Sequence, residues 1–186
     1  MVGDEVAGPE HPEVGDLLAQ LAGTDSGRAR DAALELGDRR AYGAVPAMLE
    51  VLGATSDASV RNSVAYALSA MRVPEAFEVV VDLLRQERTR GARGTLLYAL
   101  RPFDCTSILP LLVDLVIEDA WESAREAAYL ITEVEIVSAE TWMPLRNRLR
   151  MAYETADAPC AVKDPERRKI IGFLLQFFEE DSDRPG

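Results

Sequence analysis

Nucleophilic catalysis needs a base held beside a Ser or Cys, and the chain offers a single histidine, His11. It stands in "MVGDEVAGPEHPEVGD", an acidic stretch with no apolar core to pack it in place. A Ser-His-Asp or Cys-His arrangement requires a fixed His, so neither is expected. A His-rich iron or zinc site fails on the same count. Cys105 and Cys160 lie far apart and match neither a zinc spacing nor a disulfide framework, so both are expected as free thiols in a reducing compartment. Carboxylates are everywhere in so acidic a chain, which makes any one pair uninformative as general acid and base. No glycine loop is present to cradle a phosphate. No catalytic residue, metal ligand or cofactor is therefore expected, and the chain should not be an enzyme.

Function is then expected at a surface. The net charge is −12 and the pI about 4.6, so nucleic acid is disfavoured and a basic protein partner is the better match. One basic cluster breaks the pattern: Arg146, Arg148, Arg150, Arg167, Arg168 and Lys169. It reads first as a charged cap paired with nearby acids, and second as a phosphate or nucleic-acid patch. No apolar run reaches the roughly 20 residues a membrane span needs. The N-terminus does not read as a signal peptide, so a cytoplasmic monomer is expected.

The elements that would present such a surface are helices. Four segments, "ARDAALEL", "VRNSVAYAL", "ARGTLLYAL" and "AREAAYLI", carry Arg30, Arg61, Arg93 and Arg125 at steps of 31, 32 and 32. A fixed period of this size marks stacked supersecondary units. Val60, Val64, Ala67, Leu68 and Met71 recur at spacings of three and four, which gives a helix with one apolar stripe. An apolar helix precedes each Arg-bearing one, as in "VPAMLEVLGATSDAS", where Gly53 breaks the helix and Ser56 or Asp57 caps the next. Each unit is thus helix A, a turn and helix B. The expected fold is all-α, a right-handed α-solenoid of about five helix pairs. Residues 1–13 and 181–186 are expected as tails around one domain, 14–180, with an atypical C-terminal cap over about 140–180.

The run from Ala33 to Met71 resembles HEAT repeats, in particular the short bacterial type first noted in phycobilisome lyases. It carries that pattern's Leu-Gly-Asp turn, Ala-Val-Pro opening of helix A, Leu pair, Asp-rich turn and Val-Arg start of helix B. The resemblance covers roughly Gly15 to Val134 and implies an armadillo-like scaffold rather than an activity. It further implies that the anchor Arg side chains tie helix B to an Asp in a neighbouring turn, with Asp25, Asp57 and Asp119 as candidates. The B helices would line a concave face. Two enzyme classes that share the repeat lack their requirements: hydroxylases need paired His-Glu motifs, and DNA glycosylases need a basic groove around aromatics such as Trp121 and Trp142. A bilin signal is also missing.

On that face Tyr66 and Tyr98 occupy one register, 32 apart. Their equivalents are read as Leu130, beside Tyr129, in unit four and Glu35 in unit one. The polar row along it is Asp31, Glu35, Asn62, Ser69, Gly94, Arg101, Glu126 and Glu133, more acidic than basic. The candidate partner-binding set is Asp31, Glu35, Asn62, Tyr66, Tyr98, Arg101, Glu126, Leu130 and Glu133; the alternative is that the two Tyr rings fill gaps between repeats and the polar row is a solvated face. The function expected is a non-enzymatic protein-interaction scaffold, in its specific form an inhibitor or immunity protein that masks a basic toxin. A lyase or other enzyme, and a nucleic-acid binder using the C-terminal cluster, are the alternatives.

Overall fold

A computed structural model describes residues 12–134, 138–154 and 164–182. His11 and Cys160, and the tails apart from their innermost residues, lie outside it. Among the described residues ten α-helices form five packed pairs, and there is no strand. The A helices are α1 (Val14–Leu21), α3 (Val45–Ala54), α5 (Glu75–Arg85), α7 (Leu109–Glu118) and α9 (Ala139–Glu154). The B helices are α2 (Ser26–Asp38), α4 (Ala58–Ala70), α6 (Gly94–Ala99), α8 (Trp121–Thr132) and α10 (Pro165–Ser182). Helix α10 thus runs two residues into the segment expected as a tail. Each B helix packs on the next, so α2, α4, α6, α8 and α10 form one unbroken layer, and each also packs on its own A helix. The chain is an α-solenoid.

Local chemistry sets the helix ends. Asp57 caps α4 by accepting from the amides of Ser59 and Val60 at 2.8 and 3.1 Å, and Asp25 caps α2 through Arg28 N at 3.1 Å. The Ser26 hydroxyl also donates to Asp57 at 2.5 Å, joining two adjacent units. That bond first, then the two amides, holds the Asp57 carboxyl below the usual carboxylate range. The cap is therefore complete above the unfolded carboxyl value of about 3.9 and weakens only as pH falls through its lower folded value. Pro46 and Pro110 sit in the first turns of α3 and α7, where a missing N–H costs nothing.

Helices α2 and α4 both end in a left-handed residue, Arg40 (φ 50°) and Arg72 (φ 55°). In each case the amide two residues past the helical cap turns back, Ala41 to Leu36 O and Val73 to Leu68 O. This is the Schellman closure, here with Arg in the position that glycine usually takes. The two ends are 32 residues apart, and the buried positions agree. Ala29, Ala32, Ala33, Leu36 and Gly37 of α2 correspond to Arg61, Val64, Ala65, Leu68 and Ser69 of α4. The first structural step is therefore 32 rather than 31, and Ala29 instead of Arg30 stands opposite Arg61. Helix α2 has 13 residues like α4, whereas α6 has six. From unit three to unit four the buried set Arg93, Leu96, Leu97, Leu100 becomes Ala124, Ala127, Ala128, Ile131, a step of 31.

The C-terminal pair covers the exposed end of the stack. Helix α9 is 16 residues long and carries Leu145, Leu149 and Ala152 inward, while α10 supplies Ile171 and Leu174. Trp142 packs against Phe178 with ring centroids 3.9 Å apart.

Candidate functional site on the B-helix layer

The four anchor arginines part company in the folded chain. Arg93 does what the resemblance implies: its buried guanidinium meets Asp119, in the turn of the next unit, at 2.8 Å. It also donates to Gln86 O at 3.1 Å and to Thr89 Oγ1 at 3.3 Å. Arg61, at the same register, is 1% exposed, and its Nε finds no acceptor. Burial, and then the Arg88 cation, lower its pKa, with only the Asp57 carboxylate opposing them. Arg30 and Arg125 instead lie on the surface. Arg30 is 3.6 Å from its neighbour Asp31, and Arg125 pairs with Glu126 at 2.9 Å and lies 5.2 Å from the Trp121 ring. Both stand one residue past the buried anchor position, so neither ties units together.

The tyrosines point outward. Tyr66 and Tyr98 are 45% and 41% exposed, and their rings stack with centroids 6.2 Å apart and planes 19° apart. The third ring of the row is Tyr129, 40% exposed, while the expected Leu130 is 2% exposed and belongs to the core. Unit one has Leu34 in this register; Glu35 faces another way and holds Arg39 at 2.6 Å. Arg101 closes the row. Its guanidinium carbon lies 4.4 Å from the centre of the Tyr98 ring and 4.1 Å from that of Tyr129. The Glu126 carboxylate, 7% exposed, anchors Arg101 at 2.6 Å. Glu126 is thus a buried bracket for two arginines rather than an exposed contact. A cation between two rings and on a carboxylate is pre-ordered, and each ring contact adds about 0.5–2 kcal/mol.

The remaining members of the candidate row divide. Asp31 and Glu133 are exposed, Asn62 is half-buried with an Oδ1 that has no donor, and Ser69 is buried beside Tyr66. With Glu35 and Glu126 both engaged by arginines, the row is less acidic than its sequence suggests.

The C-terminal cluster is a paired cap. Arg148 meets Asp114, Lys169 meets Glu166 at 2.7 Å, and Arg168 lies 4.6 Å from the Tyr153 ring. Arg167 reaches carbonyls at the end of α7 and in the turn after it, Ile117 O at 2.9 Å and Asp119 O at 3.0 Å. Arg146 and Arg150 are engaged as well. A patch waiting for phosphate would keep such groups unspent.

One cleft of about 440 Å³ deserves testing as a reactive site, because Cys105 lines it with Asp104, Glu133 and Arg101. Cys105 is 3% exposed, with Sγ facing the carbonyls of Leu100 and Phe103. Burial first, then the Asp104 carboxylate, push its thiol up to about 11. At pH 8 roughly a thousandth of it is thiolate, the wrong state for a nucleophile. Iodoacetamide at pH 8 should therefore leave Cys105 unlabelled in the native chain and label it after denaturation, as read by mass mapping of its peptide. Rapid native labelling would mean that the sulfur is neither buried nor protonated. Among the described residues no three His, Cys, Asp or Glu side chains gather as a metal site would, and no helix is long and apolar enough to cross a membrane.

A family model described as HEAT repeats matches residues 14–101, from the start of α1 to just past α6. The match is to the repeat in general and does not single out the phycobilisome-lyase variety. A comparison with curated proteins returns no match.

Proposed function

We propose that this chain, a HEAT-repeat protein through residues 14–101, is a non-enzymatic scaffold that binds a protein partner along its B-helix layer. HEAT repeats commonly serve as protein-interaction scaffolds, because stacked units present one long continuous surface. The observation that carries the reading is the row Tyr66, Tyr98, Arg101, Tyr129. Tyr and Arg dominate the energetics of protein interfaces, and here they are half-exposed yet already ordered by stacking. Ordering them in advance removes a cost that binding otherwise carries. Rings that only filled gaps between repeats would be covered.

The finer version, an inhibitor or immunity protein masking a basic partner, draws its support from the net charge of −12. The charged side chains that line the groove beside Tyr66 and Tyr98 are Arg72 and Arg101, so a basic partner would meet the acidic surface elsewhere.

The test is the double variant Tyr66→Ala/Tyr98→Ala, used beside the wild-type chain as bait in extract of the native cell. We expect the partner's recovery to fall at least about tenfold, since two interface rings contribute upward of 1 kcal/mol each. The melting temperature should move by only a few degrees. Full recovery with a large drop in melting temperature would assign the rings to packing.

A further inference from the structure

The ends of α4 and α6 enclose a groove of about 410 Å³, lined by Tyr66, Ala70, Arg72, Tyr98, Arg101 and Pro102. In a chain of charge −12, no carboxylate among the described residues lines it. Glu126, which holds Arg101, is buried and shared with Arg125, so one negative charge answers two positive ones. Arg72 has no carboxylate partner among the described residues and is exposed, on a left-handed backbone just past the end of α4. Arg101 spends one guanidinium nitrogen on Glu126 and lies between the Tyr98 and Tyr129 rings, leaving its other donors for a ligand. Arg40 stands at the equivalent end of α2, 32 residues before Arg72, exposed like it. The cationic stretch stops at Arg101, because the cleft beyond it holds Asp104 and Glu133.

We propose that the segment docking in this groove is a short acidic peptide of a partner protein, with its carboxylates on Arg72 and Arg101 and a flat or apolar side chain against Tyr66 and Tyr98. The charge of the groove selects this occupant against the run of the whole chain. A planar guanidinium fixed in advance takes a carboxylate in bidentate fashion, and the stacked rings beside it offer the apolar anchor. The Tyr66 and Tyr98 rings are 6.2 Å apart, and the Arg101 guanidinium lies 4.4 Å from Tyr98 and 4.1 Å from Tyr129, so the row from Tyr66 to Tyr129 spans no more than about 15 Å. About four extended residues at roughly 3.3 Å each cover that length. The inference rests on the B layer being an interaction surface and adds the chemistry of what binds there.

Its test pans a random decapeptide library, displayed on phage, against the full chain. Enriched peptides are then titrated by fluorescence anisotropy against wild type, Arg72→Glu and Tyr66→Ala/Tyr98→Ala. We expect peptides rich in Asp and Glu, with affinity that falls at least about tenfold in Arg72→Glu and falls again as salt is raised. Arg72 is exposed and outside the Glu126 network, so this variant should melt as wild type does. Basic or uncharged winners, or acidic ones indifferent to Arg72→Glu, would overturn the acidic occupant. If such peptides still lose affinity to the double tyrosine variant, the scaffold reading stands and only its chemistry fails. If no peptide distinguishes the tyrosine variant from wild type, both fail. Removing residues 2–11, which include Asp4, Glu5 and Glu10, provides the last arm. A tenfold gain in peptide affinity on their removal would give the groove to the chain's own N-terminal segment instead of a partner.

Discussion

Asp119→Ala lowers stability by about 3–5 kcal/mol, because it strands the buried Arg93 cation. Asp119 Oδ2 accepts from Arg93 at 2.8 Å, and its Oδ1 accepts from the Ala120 amide at 2.7 Å, at the entrance to α8. The two side chains are 10% and 2% exposed, so water does not replace the lost carboxylate. For a chain of this length each kcal/mol moves the melting temperature by about 2–4 °C, which makes the shift easy to read by circular dichroism. The cost lies in the stranded charge, not in the worth of the pair. Arg93→Met/Asp119→Leu should therefore recover most of the loss.

Arg61 supplies the internal control. It has the register and the burial of Arg93, but its place in the series has no Asp119: the residue 32 before Asp119 is Glu87, which is exposed and holds Arg90 at 3.2 Å. Leaving a buried donor unmet costs about 1–3 kcal/mol. Arg61→Met should thus raise the melting temperature where Asp119→Ala lowers it. Equal losses at Arg61 and Asp119 would mean that pairing is not what decides the sign.

The same contrast shows why the repeat was legible in sequence and its register only partly so. Helix pairs follow from apolar spacing of three and four, which survives a one-residue error in alignment. A conspicuous Arg does not. Arg30 and Arg125 mimic the anchor but stand one position late, because α2 and α8 bury Ala29 and Ala124 instead. Aligning unit four on Arg125 pushed the ring register onto Leu130, which the core claims. Aligning it on the apolar stripe Ala124, Ala127, Ala128, Ile131 would have reached Tyr129. The Arg101–Glu126 bracket had no local signal at all, since it joins side chains 25 residues apart, one in the turn after α6 and one in α8. The row is more acidic in sequence than in the fold for the same reason. A carboxylate's sign is plain in sequence, but its partner is a property of packing.

Gly37→Val tests the closest approach in the B layer, and we expect it to cost about 3 kcal/mol. Helices α2 and α4 meet there so tightly that a Cβ on Gly37 would lie 2.8 Å from Ala67 Cβ and 3.0 Å from Ala67 Cα. The second atom is backbone, so a rotamer change cannot relieve the contact, and one helix must shift against the other. Overpacking of this kind costs about 1–3 kcal/mol, and a branched side chain belongs at the upper end. Valine's better helix propensity returns only a few tenths of a kcal/mol against that. Gly53, in the last turn of α3, is the control. A Cβ there meets nothing closer than Val79 Cγ1 at 3.8 Å. Gly53→Ala should therefore stabilise, by up to about 1 kcal/mol, through the unfolded chain's lost freedom. A shift at Gly37 also tilts α4 and with it Tyr66, so peptide binding at the groove should fall along with the melting temperature. If Gly37→Val melted like wild type, the two helices would have to stand further apart than the Ala67 contact places them.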